Sequence, residues 1–283
     1  MPLQVRVSPL GLGLAFVAQF VLSGVAFALY GDGTTRGFAY SYVQPDDKTF
    51  AVWSVIYVLQ LLFVMHQCCL PKEKRDAPRM VAARGWQAVN CLSAGSWLVA
   101  NGAASKGFSY WLAVVVLWVT VLSVYKTYHL LGVDYTARHV SSWDKLALFA
   151  PVSSNLSWVL LAGILNVSNT LYDTGDSSAV QVGSQDWAIA VVALATLVTC
   201  KLAVERLDFT YAAVTIWALL GIHRNQTQGT DSPLQPSGEL ETMAISCIVV
   251  VFGAAVLGLS LWLCGASQTL QDQDQETRDR AQE

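Results

Sequence analysis

Apolar positions along this chain fall in long, nearly unbroken runs separated by short polar stretches, without the strict alternation of surface strands. A helix that crosses a bilayer needs ~20 mostly apolar residues, because each residue rises ~1.5 Å through a hydrocarbon core ~30 Å thick. Eight runs reach or approach that length, at about 10–30, 49–70, 87–104, 109–130, 146–166, 187–204, 209–223 and 242–264. The seventh is short and is separated from the sixth only by Glu205, Arg206, Leu207 and Asp208, which predicts a tight helical hairpin. The pattern therefore predicts an all-α fold, a polytopic membrane helical bundle of about eight transmembrane helices with no sizeable soluble domain. The polar stretches 172–185 and 225–239 read as connectors. The last segment, rich in Gln, Asp, Glu and Arg, has almost nothing apolar to bury and is expected to be a solvated, largely disordered tail over 266–283.

Composition agrees with the bilayer as solvent: 54% of the residues are hydrophobic, 13% are charged, and the mean hydropathy is +0.44. The net charge of −3 leaves no basic face for nucleic acid. Lys and Arg are unevenly divided between alternate loops. Lys72, Lys74, Arg75, Arg79 and Arg84 crowd one loop, and Lys126, Arg138, Lys145, Lys201 and Arg206 fall on the same side, whereas Arg36, Lys48, Lys106 and Arg224 share the other. The positive-inside rule then predicts both termini on the cytoplasmic side. An alternative reading makes the first run a signal peptide ending near Ala26-Phe27-Ala28, although that run is longer than the usual ~7–15 residue apolar core. Asn225-Gln226-Thr227 is a glycosylation sequon on the predicted outer side, and Asn155-Leu156-Ser157 is one within a span. The six cysteines show no CxxC pairs and read as small packing residues.

Candidate chemistry in the spans is uncharged. No Asp, Glu or Arg falls near a predicted span centre, which argues against ion-coupled pumping and voltage sensing. His66, His129, His139 and His223 are scattered near boundaries without metal-binding spacing. Nor is there a nucleophile-base pair, so enzymatic function is not expected. Gln19, Gln60, Asn90, Asn101, Ser153, Ser154, Asn155 and Asn166 do lie within spans. Interhelical hydrogen bonding and the lining of a ligand cavity are both open explanations for them. Of the ten tryptophans, Trp86, Trp111, Trp143 and Trp187 fit an interfacial belt, while Trp53, Trp97, Trp118, Trp158 and Trp217 lie deeper.

The order of certain residues resembles the TspO/MBR family of tryptophan-rich sensory and translocator proteins. Pro45 followed by Thr49-Phe50-Ala51-Val52-Trp53-Ser54-Val55-Ile56-Tyr57 is similar to the opening of that family's second helix. In the fifth span, Trp158, Ala162, Leu165 and Asn166 reproduce its W-x3-A-x2-L-N pattern, and Asn90 with Trp97 falls in a third helix of the matching kind. The family's Trp-x-Pro-Pro signature is replaced by Val43-Gln44-Pro45-Asp46-Asp47, Pro151 precedes Trp158 by seven residues rather than four, and Asn90 and Trp97 are seven apart rather than three.

The resemblance implies a TspO-like five-helix core over residues 1–170, three additional helices over 171–265, and a pocket for a porphyrin or sterol-like ligand, often in a homodimer. Carried over by position, Trp53, Tyr57, Asn90 and Trp158 are its ligand-binding candidates. The function expected is binding of a tetrapyrrole or sterol-like ligand as sensor, carrier or scavenger. A neutral-solute transporter or channel and a structural subunit of a membrane complex are the alternatives, and no cofactor is assigned.

Overall fold

The computed structural model describes residues 6–31, 42–104, 110–173, 185–228 and 237–280. The connectors expected over 172–185 and 225–239 fall largely outside them. Among the described residues the structure is all helical. Its eight long helices are α1 (Pro9–Tyr30), α2 (Val52–Cys69), α3 (Pro78–Ala104), α4 (Tyr110–Leu131), α5 (Ala150–Asp173), α6 (Gln185–Arg206), α7 (Phe209–Gln228) and α8 (Gly238–Arg280). A 3-10 turn, Asp47–Ala51, leads into α2, and a π turn, Lys145–Phe149, leads into α5.

Six of these helices are long and apolar enough to cross a membrane: α1, α2 with its leading turn, α4, α5 with its lead-in, α6, and α8 as far as Cys264. The eight expected spans thus divide, because α3 and α7 are too polar to qualify on composition. Packing supplies the reason. Helix α3 lies between α1 and α4, and α7 contacts α5, α6 and α8, so neighbouring helices cover much of their surfaces. A helix shielded in this way can carry the buried polar groups Gln87, Asn90, Ser93 and Asn101. Helix α3 also starts at Pro78 rather than near 87, which places Arg84 inside it, and α8 continues as helix through 266–280, where a tail was expected.

The first five helices close a ring. Helix α1 packs on α2 and α3, α3 on α4, α4 on α5, and α5 on α2. Helices α6, α7 and α8 pack on one another and join the ring through α7 against α5. Close approach is built from glycine where backbones cross. A Cβ on Gly95 of α3 would lie 3.0 Å from the Gln19 Cα and carbonyl oxygen of α1, and one on Gly258 of α8 would lie 2.6 Å from the Ala203 carbonyl oxygen of α6. Backbone cannot swing aside as a side chain can, so both positions require hydrogen.

One end of the bundle is pinned by polar contacts. Arg84 donates from Nε to the Val7 carbonyl at 3.0 Å, and His66 meets Asp144 at 2.9 Å. The α6–α7 turn contains Leu207 at φ 49°, in the left-handed region, and is secured by Asp208. Its Oδ1 accepts from the Tyr211 backbone N–H at 3.0 Å, capping α7, while Oδ2 accepts from Tyr128 of α4 at 3.0 Å and Ser153 of α5 at 2.8 Å. Arg206 adds a bond to the Val133 carbonyl at 3.0 Å. The predicted hairpin is present, and it is fastened to the ring.

Two predictions arise here. Gly258→Leu lowers thermal stability in detergent by roughly 1–3 kcal/mol through overpacking, whereas Gly253→Leu, which has nothing within 4 Å of its Cβ position, leaves it unchanged; equal melting temperatures for the two variants would contradict the α6–α8 contact. Burial holds the Asp208 carboxyl above the usual carboxylate range, against the opposing pull of its hydrogen bonds. A carboxyl raised in the folded state binds its proton more tightly there than in the unfolded chain. Stability therefore rises as pH falls through the raised value and levels off below the unfolded one, near ~3.9. The wild type gains melting temperature on mild acidification relative to Asp208→Asn, and parallel pH profiles would refute this.

Candidate functional site

Helical spacing brings the first pair of candidates together. Trp53 and Tyr57, four residues apart on α2, stack with ring centroids 5.4 Å apart and planes inclined by 27°. Trp158 of α5 meets Trp53 edge-on at 6.3 Å, and Phe50 of the leading 3-10 turn meets Trp158 edge-on at 5.6 Å. On the other side Tyr57 touches Phe20 of α1 at 5.0 Å. Phe20 is 44% exposed and Trp158 2%, so a continuous aromatic wall leads from the lipid-facing surface through the half-buried Tyr57 and Trp53 into the interior. Three of the four expected site residues, Trp53, Tyr57 and Trp158, lie along it.

The fourth, Asn90, belongs to a set of amides distributed over four helices of the ring. Asn155 of α5 donates to the Asn90 Oδ1 at 3.2 Å. The rest of that pair is unsatisfied: Asn90 Nδ2 and Asn155 Oδ1 have no hydrogen-bond partner among the described residues. The same holds for both amide atoms of Gln19 on α1, both of Gln60 on α2, Oε1 of Gln87 on α3 and the Trp158 indole N–H. All six side chains are at least nine-tenths buried. The Tyr57 hydroxyl is close to the Gln19 amide without a bond of normal geometry. A buried polar atom left unpaired costs about 1–3 kcal/mol, so such a group of atoms favours a hydrogen-bonding partner, water or guest.

At the opposite end from Arg84, the segment before α2 is clamped to α7. Asn225 and Gln226 donate to the carbonyls of Gln44 and Tyr42 at 2.8 and 2.9 Å, Asp46 N–H donates to the Gly221 carbonyl at 3.1 Å, and the Trp217 indole donates to the Thr49 carbonyl at 2.8 Å. Gly221 has no room for a Cβ, which would lie 2.8 Å from that of Pro45. This corrects the reading of Asn225 as an outer glycosylation site. Its side chain is buried at 9% exposure and its amide is engaged. The segment before α2, which carries Pro45 without a second proline, is thus held by hydrogen bonds from α7.

Trp97 lies away from the aromatic wall, whereas Trp217 of α7 packs against the cluster of Val52, Ile56 and Trp158 that Phe50 and Trp53 also join. Trp97 packs with Ala113, Leu117, Ala162 and Leu165 in the core shared by α3, α4 and α5, where it fills volume. Gln19 and Gln60, polar span residues in the sequence, and Phe50, part of the motif that opens α2, join the site only in the structure, and Phe20 carries no sequence motif. Their signal was present in the spacing: Phe16, Gln19 and Phe20 on α1, and Trp53, Tyr57 and Gln60 on α2, each recur at three- and four-residue steps. Two apolar cavities of about 420 and 520 Å³ lie outside the ring, between α4, α5, α6 and α7, and share Trp118, Leu160, Val198 and Tyr211. Among the described residues no group of His, Cys, Asp and Glu is arranged to hold a metal ion.

A five-helix ring with an aromatic wall and unpaired amides, embedded among further apolar helices, defines a polytopic helical membrane protein. The family model described as TSPO-like protein matches residues 11–257, which takes in all or part of every helix from α1 to α8, and the chain belongs to that family. No curated protein and no solved structure matches the chain.

Because both Gln60 amide atoms lack a hydrogen-bond partner among the described residues, Gln60→Leu raises stability by about 1–3 kcal/mol, since a leucine of similar size removes the unsatisfied atoms. The thermal midpoint in detergent reads this directly. A lower midpoint would mean that the amide already has partners.

Proposed function

We propose that this protein binds a flat hydrophobic ligand of tetrapyrrole or sterol type inside its five-helix ring, and that it acts as a sensor, carrier or scavenger without catalysing a reaction on it. The observation that carries this reading is the convergence, in one ring, of the Phe20–Tyr57–Trp53–Trp158 aromatic wall with the unpaired atoms of Gln19, Gln60, Asn90, Asn155 and Trp158. Aromatic faces supply dispersion and stacking to a planar guest, about 0.5–1.5 kcal/mol per well-placed ring beyond area burial. The amides supply orientation through hydrogen bonds to the guest's edge. The wall begins at a lipid-exposed ring, so the guest enters from the bilayer, between α1 and α2, where its own hydrophobicity concentrates it.

Among the described residues the polar groups along the wall are the neutral amides, the Tyr57 hydroxyl and the Trp158 indole N–H, which bind and orient a guest. That supports binding over enzymatic turnover.

Protoporphyrin titration of the detergent-purified protein tests this reading. Saturable quenching of tryptophan fluorescence with a shifted Soret band is expected, with affinity falling by about tenfold or more, at ~1.4 kcal/mol per factor of ten, in the Trp53→Ala, Trp158→Ala double variant. Trp111→Phe, a change at an exposed interfacial ring, leaves it intact. A flat titration, or equal affinity in all three proteins, returns the aromatic wall to core packing.

A further inference from the structure

The six cysteines separate into two groups in the structure. Cys91 and Cys247 are buried and Cys200 is half-buried, as packing residues should be. Cys68, Cys69 and Cys264 are exposed. Cys68 and Cys69 are consecutive and form the last turn of α2, which ends at Leu70 and Pro71. On the buried side of that turn, His66 and Gln67 are held by Asp144, Met80 and Arg84. The two thiols therefore stand on a fixed helix end, and the polar tether faces away from them.

Two further features converge on this pair. Along α2, Val58, Leu61 and Met65 are 67%, 45% and 58% exposed and step toward Cys68 and Cys69 at three- and four-residue intervals. They form an outward apolar stripe that runs from the hydrocarbon to the thiols. Immediately beyond the thiols come Lys72, Lys74, Arg75 and Arg79, with Lys72, Lys74 and Arg79 exposed. This is the basic end of the bundle, the side that the positive-inside rule assigns to the cytoplasm. The pair thus sits where hydrocarbon, anionic headgroups and cytosol meet.

We propose that Cys68 and Cys69 are S-acylated by long-chain acyl-CoA. The Cys thiolate attacks the carbonyl carbon of the acyl thioester, a new S–C bond forms, the bond to the coenzyme sulfur breaks, and coenzyme A leaves as the thiol, taking up the proton that the cysteine lost. Nothing is oxidised or reduced. Lys72, Lys74 and Arg79 attract the phosphates of the donor to the membrane surface, and the attached chains lie back along the Val58–Leu61–Met65 stripe. Cys264 shares the basic end, since Trp262 lies under Arg138 at 6.0 Å, but no Lys or Arg follows it until Arg278. It lacks the flanking basic cluster and is not part of the site.

The test uses the full chain produced in a eukaryotic membrane, where acyl-CoA and acyltransferases are present. Thioesters are cleaved with neutral hydroxylamine and the freed thiols are labelled with a mass tag. Two hydroxylamine-dependent tags are expected on the wild type and on Cys264→Ser, one on Cys68→Ser and on Cys69→Ser, and none on the double variant. Because the single variants each retain a tag, they carry the result even if the double variant accumulates poorly. Absence of hydroxylamine-dependent tagging on the wild type, or tagging that survives in the double variant or disappears with Cys264→Ser, overturns the proposal.

Discussion

Hydrocarbon offers no partner to a polar group, and the architecture of this protein depends on that constraint. The chain satisfies it by sorting helices. Those that carry the apolar surface, α1, α2, α6 and α8 above all, present long rows such as Leu10, Leu14, Val17 and Val21 to the lipid. Helices rich in amides and hydroxyls are drawn inward, where other helices replace the lipid. Thr120 of α4 bonds Ser93 of α3 at 2.8 Å, and Thr215 of α7 meets Ser157 of α5 and Thr199 of α6, each at 3.0 Å. Polar sequence in α3 and α7 is therefore a consequence of position within the bundle.

Against that background the unpaired amides of the ring stand apart. Most buried hydroxyls in these helices find a backbone carbonyl one turn back, as Ser93, Thr127 and Thr196 do. The longer Gln19 and Gln60 side chains do not, and they lie beside an aromatic wall that is itself open at the lipid face. Fold and site are coupled here, since the glycine crossing at Gly95 brings α3 against Gln19 and the Asn90–Asn155 bond ties α3 to α5 across the ring. Helix α7 acts on the same residues from outside the ring. Helix α7 holds the segment before α2, and with it Phe50 and Trp53, through carbonyl bonds to Tyr42, Gln44 and Thr49.

Some of the candidate site was legible before any coordinates. Trp53 and Tyr57 share a helix, and a four-residue step sets their faces by local geometry alone. The α6–α7 hairpin was legible for the same reason, because so few residues separate its helices. Asn90 and Asn155 are 65 positions apart and on different helices, so their meeting depends on how the ring closes. Arg84 was read as a loop residue because the polar start of α3 contains no apolar run, and Asn225 was read as a surface sequon because its partner, the Gln44 carbonyl, is 181 positions away.

The sequence by itself determined that the chain is a helical membrane protein, roughly where its helices lie, and that it resembles the TspO/MBR family, since hydrophobic length and local periodicity act over a turn or a span. Tertiary structure alone decided which polar groups are paired, which cysteines face outward, and which tryptophans form a wall rather than fill a core. Those outcomes depend on which helix faces which, and every long helix in a bilayer carries enough apolar surface to permit several such arrangements. The choice among them is made by short-range contacts, glycine crossings and interhelical hydrogen bonds between residues far apart in the chain.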